Sequence, residues 1–153
     1  MKYKKITLIF ALMALSIGLY VSDALIKETV NAEEIMVYKS PTCGCCKKWV
    51  KHLQDEGFTV KTKDIANLIP VKKQFGVNPA YQSCHTAKVG QYFIEGHVPA
   101  SDIKKLLKEK PAIKGLTVPG MVTGSPGMEG AYKDRYDVLA IDKNDNYSVY
   151  SSH

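Results

Sequence analysis

Three cysteines, Cys43, Cys45 and Cys46, fall within four residues, and a fourth, Cys84, stands alone much further on. Cys43 and Cys46 have the C-x-x-C spacing of a redox dithiol. Such a pair needs only two sulfurs, and Cys45 between them is a third thiolate able to attack any mixed disulfide. Soft thiolates gathered in number select Cu(I) or Zn. Structural four-cysteine zinc sites use two separated knuckles around one tetrahedral ion, and Cys84 alone supplies no second knuckle. The C-x-C-C triplet with one remote cysteine suits thiolates that bridge several Cu(I) ions. From spacing, copper therefore leads, ahead of a redox dithiol, zinc or mixed metals, and plain disulfides. Disulfide scaffolds spread their cysteines to close loops, where cross-linking stabilises; this clustering does the opposite.

The elements that must position these sulfurs follow from pattern. Residues 35–38 are a short apolar run, expected as a buried first strand, which residues 39–42 break. Thr42 or Cys43 can cap a helix running to about Glu56 and ended by Gly57. Cys46, Trp49, Val50 and Leu53 then share one apolar face, with Trp49 a core anchor beneath the site. The free amides and dipole of that helix N-terminus, with Lys47 and Lys48, favour ionised thiols near neutral pH. Residues 58–62 alternate as a second strand, and a second helix is expected over 66–75, closed by Gly76. Residues 77–87 read as irregular. Short strands follow near 87–89 and 92–94, and a third helix runs from Pro99 or Ala100 to about Lys108, with Ser101 and Asp102 as cap residues. Residues 115–130 hold five glycines and two prolines, expected as a long loop, and 136–141 with 147–150 read as a closing hairpin.

The fold class is α/β, in the order β-α-β-α-β-β-α, then the Gly/Pro-rich loop and the C-terminal β-hairpin. The first seven elements match the thioredoxin-like order. In that order the third strand runs antiparallel to the first, so Cys84 enters at the sheet end where the first strand delivers the triplet. The turn carrying His97 falls at the same end. His85 and His97 are therefore candidate auxiliary ligands, each weighed against a loop histidine bonded to backbone. Met121 and Met128 are candidate thioether ligands, weighed against hydrophobes that pin the loop. His52 is about 10 Å further along the helix and is excluded. His153 is terminal and expected to be disordered. No paired carboxylates or nucleophile–base pair stand out, so no catalytic residue is assigned.

The chain of 153 residues is one domain's worth, with a net charge of +6, of which +2 falls in residues 1–32. The lysines, Lys72 and Lys73 among them, read as solvated helix faces. No basic stripe with interleaved aromatics supports nucleic-acid binding. Lys2, Lys4 and Lys5 precede an apolar run of sixteen residues, 6–21. A membrane-spanning helix wants about 20, so a cleaved export signal is preferred over an uncleaved anchor. Residues 1–32 are thus a signal peptide or anchor plus linker, and 33–153 an exported metal-binding domain. Membrane contact is expected only through an uncleaved N-terminal segment.

Five motifs in order carry a resemblance: residues 38–46 (Tyr38 to the C-x-C-C triplet), Ser83-Cys84-His85-Thr86, Glu95-Gly96-His97-Val98-Pro99, Val118-Pro119-Gly120-Met121 and Gly124-Ser125-Pro126-Gly127-Met128-Glu129. Over about residues 35–142 the chain resembles the CopG-type copper-resistance family, a periplasmic metal-binding family distinct from the plasmid repressor of that name. The resemblance implies a thioredoxin-like fold and a cysteine-bridged multinuclear copper cluster formed by Cys43, Cys45, Cys46 and Cys84. It also implies copper resistance through interconversion of Cu(I) and Cu(II), and location in the periplasm or cell envelope. The expected partners are copper ions and periplasmic copper donor or acceptor proteins. Whether the protein only binds copper or is a copper oxidoreductase stays open. Thioredoxins have a proline before strand three where this chain has Cys84, which favours metal over dithiol exchange. The alternative is an exported thiol-disulfide oxidoreductase using Cys43 and Cys46.

Overall fold

The computed structural model describes residues 33–153. The export signal or anchor expected over 1–32 lies outside the described residues. The described chain is α/β. It folds around one seven-stranded mixed sheet of order β2-β1-β3-β4-β5-β6-β7.

β1 (Ile35–Lys39) buries Ile35 and Val37, and pairs parallel with β2 (Val60–Asp64) and antiparallel with β3 (His85–Val89). The register sets Lys39 opposite His85. The C-terminal end of β1 and the N-terminal end of β3 therefore coincide, as the strand order required. β4 (Tyr92–Glu95) returns antiparallel to β3, so its exit also reaches that end.

Helix α1 (Gly44–Asp55) starts at Cys43, whose Sγ accepts the Cys46 N–H at 3.3 Å. A sulfur thus takes the capping role that oxygen usually fills. The helix buries Cys46, Trp49, Val50 and Leu53 against the sheet. Truncating a buried leucine such as Leu53 to alanine costs about 2–5 kcal/mol. The indole Nε1 of Trp49 donates to the Val98 carbonyl at 2.9 Å, fixing the helix to the segment after β4.

Two helices differ from the pattern-based reading. α2 (Ile69–Gln74) is shorter than expected, and its one buried side chain is Lys72. Lys72 is therefore not part of a solvated face; its ammonium points into the protein, where Glu95 receives it. α3 (Ala100–Glu109) has no side-chain cap of its own, because Ala100 N–H donates to His52 Nε2 at 3.1 Å. His52 is thus no metal ligand; it closes the start of α3.

The Gly/Pro-rich stretch is not all loop. Gly115–Thr117 form β5, parallel to β4 and antiparallel to β6 (Asp137–Ile141). Gly115 reads as a breaker in sequence, yet a Cβ there would stand 2.1 Å from the Phe93 carbonyl oxygen, so close strand packing requires glycine. β6 and β7 (Tyr147–Ser152) form the expected hairpin.

His153 is ordered, against expectation. Its backbone exchanges hydrogen bonds with Tyr136, its ring stacks on Tyr136 at 5.2 Å, and its Nε2 lies 2.8 Å from Asp102 Oδ2. Asp102, read from sequence as a helix cap, is instead the partner of His153.

Candidate metal centre

The site lies where β1 ends, α1 begins, β3 begins and β4 ends. Cys43 caps α1, Cys45 and Cys46 sit on its first turn, and Cys84 stands immediately before β3. Cys43 and Cys46 are joined by a disulfide, while Cys45 and Cys84 are free thiols. Cys45 Sγ is 3.4 Å from Cys43 Sγ, and Cys84 Sγ is 3.5 Å from Cys46 Sγ. The remote cysteine therefore reaches the triplet, as antiparallel β1–β3 pairing demanded.

Two donor groups result. Cys43, Cys45, Cys46 and Cys84 bring their sulfurs within 4.8 Å of one another, and Cys84, His85 and His97 bring a sulfur and two imidazole nitrogens equally close. Cys84 belongs to both. Its Sγ lies 3.3 Å from His85 Nδ1 and 3.1 Å from His97 Nε2.

Proton positions follow from the partners. His97 Nδ1 is 2.7 Å from the Pro126 carbonyl, which can only accept, so Nδ1 carries the proton. Burial lowers the His97 pKa, partly opposed by the Pro126 carbonyl and by Glu129, and the ring is neutral near pH 7. Its Nε2 lone pair then faces Cys84, whose S–H donates to it. Burial first, then the charge of Cys45, pushes the Cys84 thiol up to about 12. Burial, reinforced by His97 and Lys72, holds the His85 imidazole well below its ordinary range. His85 is fully buried, with its ring centroid 4.3 Å from that of Trp49.

The His85 Nε2 has no hydrogen-bond partner among the described residues. An orphaned buried polar atom costs about 1–3 kcal/mol. With the ring's other nitrogen, Nδ1, 3.3 Å from Cys84 Sγ, this imidazole fits a site that accepts a metal ion. The donor set of four sulfurs and two imidazoles suits copper or zinc and ill suits calcium or magnesium.

The 118–129 segment covers the site through its backbone. Gly127 packs on the first turn of α1, where an added Cβ would stand 2.7 Å from the Cys45 carbonyl oxygen and 2.8 Å from Trp49 N. The Gly127 N–H donates to Glu129 Oε1 at 2.7 Å, and this bond holds the Glu129 carboxyl below the usual carboxylate range. Met121 is exposed, and Met128 is half-buried with its backbone bonded to Gly124 and Ser125.

Sequence reasoning missed the Pro126 carbonyl and the Lys72–Glu95 pair. A main-chain acceptor leaves no mark in residue type. Glu95, however, ends the apolar run Tyr92-Phe93-Ile94 and was the one available signal of a buried carboxylate.

Fold and donor set together define an α/β protein with a cysteine cluster able to bind metal. A family described as "Protein of unknown function, DUF411" matches residues 81–128. Two solved structures, "Copper resistance protein copG- Form 2" and "Copper resistance protein copG- Form 1", are each 43% identical to this chain with a TM-score of 0.75. Each alignment covers 79% of this chain, and 98% and 97% respectively of the solved ones. Among curated proteins no relative is found. The chain belongs to the CopG copper resistance protein family.

Proposed function

We propose that this protein is an exported copper-binding protein of the cell envelope or periplasm that holds Cu(I) in a cysteine-bridged multinuclear site and contributes to copper resistance. The observation that carries the multinuclear reading is the double membership of Cys84. It lies in both donor groups, and the six donors exceed what one four-coordinate ion takes. A thiolate shared between two groups is a bridging thiolate. The parallel β1–β2 and antiparallel β1–β3–β4 pairings support a thioredoxin-like core. Met121 and Met128 remain auxiliary candidates from the cover segment, and copper donors or acceptors of the envelope are the proposed partners.

Loading requires the Cys43–Cys46 bond to open. An external dithiol supplies two electrons and two protons, leaving two protein thiols and its own disulfide. Cu(I) then displaces the thiol protons. Interconversion of Cu(I) and Cu(II) is the finer proposal, one electron per copper passing to or from an external redox partner. Its test is cycling of loaded protein with a mild oxidant and reductant without loss of metal.

The deciding experiment is metal stoichiometry of reduced, anaerobic protein beside its Cys84→Ser variant. The expected result is more than one Cu(I) per chain, with fewer in the variant. One tightly bound zinc, with copper held no better, would sink the proposal.

The Cys43–Cys46 disulfide at a helix N-terminus favours a second reading, a thiol-disulfide oxidoreductase. That activity needs neither Cys84 nor metal. Turnover of a dithiol substrate by metal-free Cys84→Ser protein at the native rate supports it, and absence of exchange in metal-free protein removes it.

A further inference from the structure

The dipeptide Cys84-His85 is flanked by two residues tied to the same carboxylate. Ser83 N–H donates to Glu95 Oε1 at 2.6 Å, and the Thr86 hydroxyl donates to Glu95 Oε2 at 2.6 Å. The chain enters and leaves the ligand pair through bonds to one side chain. Gly96, next to Glu95, adds a backbone bond from its N–H to the His85 carbonyl at 3.0 Å, and His97 follows directly. Glu95 thus stands between the strand that carries Cys84 and His85 and the turn that carries His97.

The carboxylate has a counter-charge from a third element. Lys72 Nζ bonds Glu95 Oε1 and also donates to Thr86 Oγ1 at 3.0 Å. Lys72, Glu95 and Thr86 are all buried. Lys72 is the one fully buried side chain of α2.

Stability alone does not account for such a pair. Removing two charges from water costs several kcal/mol per ion, and well-packed apolar residues in place of a buried ion pair are often neutral or better. A carboxylate offers what an apolar side chain cannot, namely acceptors on both oxygens for donors on either side of a short segment. It sets the register of residues 83–86 against β4, and hence the position of Cys84 Sγ between the triplet and His97.

We propose that Glu95, with Lys72 as its counter-ion, is the positioning residue of the Cys84–His85 ligand pair. It touches no donor atom and acts through the backbone on both sides of them. The consequence for copper rests on the copper reading above. The consequence for Cys84 itself does not.

The test uses Glu95→Gln and the double variant Lys72→Met/Glu95→Gln, which removes both charges and leaves neither buried alone. Each is made in the native chain and in a Cys84→Ser/His85→Gln background. Three quantities are measured: Cu(I) affinity by chelator competition, the melting temperature of reduced metal-free protein, and the alkylation rate of Cys84 in metal-free protein by peptide mass spectrometry. In the native background the double variant is expected to lose about tenfold or more in Cu(I) affinity, the size of effect typical of groups that orient ligands. In the Cys84→Ser/His85→Gln background the same substitutions should leave the residual affinity unchanged, and Cys84 alkylation in the native background should quicken severalfold. Equal loss in both backgrounds would mean a general loss of structure and overturn the proposal. So would native affinity and native alkylation in the double variant. If the unsubstituted protein takes up no Cu(I), the copper reading fails, and the alkylation rate alone decides the positioning role.

Discussion

Cys84 Sγ lies 3.1 Å from His97 Nε2, and the other nitrogen of that ring gives its proton to the Pro126 carbonyl at 2.7 Å. A single imidazole thus joins the cysteine cluster to the segment that covers it. The tautomer is set by the main chain, which leaves Nε2 free to face sulfur or metal.

Replacing His97 with phenylalanine keeps a planar ring, somewhat larger than imidazole, and removes both contacts. Cu(I) affinity is expected to fall by about tenfold or more. His97→Gln, which can still donate to a carbonyl, should lose less. Chelator competition on the reduced protein measures the difference, and equal affinities for all three proteins would remove His97 from the site.

Gly127 has a φ of +86°, and an added Cβ meets backbone atoms of Cys45 and Trp49 that cannot move aside. Gly127→Ala should therefore lower stability by about 1–3 kcal/mol. It should also push the Pro126 carbonyl away from His97. Calorimetry reads the first effect. The His97 ring nitrogen shifts in NMR spectra of metal-free protein read the second.

Acid should destabilise the reduced, metal-free protein. His85 and His97 have pKa values lowered in the folded state, so they are neutral there while the unfolded chain titrates near its ordinary value of about 6.5. Below that pH the unfolded state binds more protons, and stability falls as pH drops toward the folded values. Glu95, whose carboxyl is raised by burial, works the other way as pH falls from its raised folded value toward the ordinary carboxylate value. Melting temperature is thus expected to fall between pH 7 and pH 5.5, and less so in His85→Leu. A flat profile in the native protein would contradict the buried neutral imidazoles.

The contact between His153 and Asp102 lies apart from the donor cluster. Asp102→Ala should cost about 1.5–3 kcal/mol of stability, the worth of a hydrogen bond involving a charged group. Copper uptake should stay at the native level. Denaturant titration beside copper stoichiometry separates the two, and lost uptake at native stability would show that this end of the sheet reaches the site.

The chemistry-bearing positions were legible in the residues themselves. A third thiol inside a C-x-x-C spacing is a local fact, and so is the apolar face of Cys46, Trp49, Val50 and Leu53 that makes α1. Strand order then sufficed to send Cys84 and His97 to the same end, because an antiparallel third strand has nowhere else to begin. What tertiary structure alone decided was which groups meet. Lys72 reads as one more solvated lysine until α2 packs on β3 and β4 and buries its ammonium beside Glu95. His153 reads as a loose end until β7 lays it on Tyr136 and Asp102. The Pro126 carbonyl is common to every residue type and acquires a role only through its place in space. Long-range pairing of charges and main-chain acceptors has no periodicity along the chain, so it becomes visible only when distant segments are brought together.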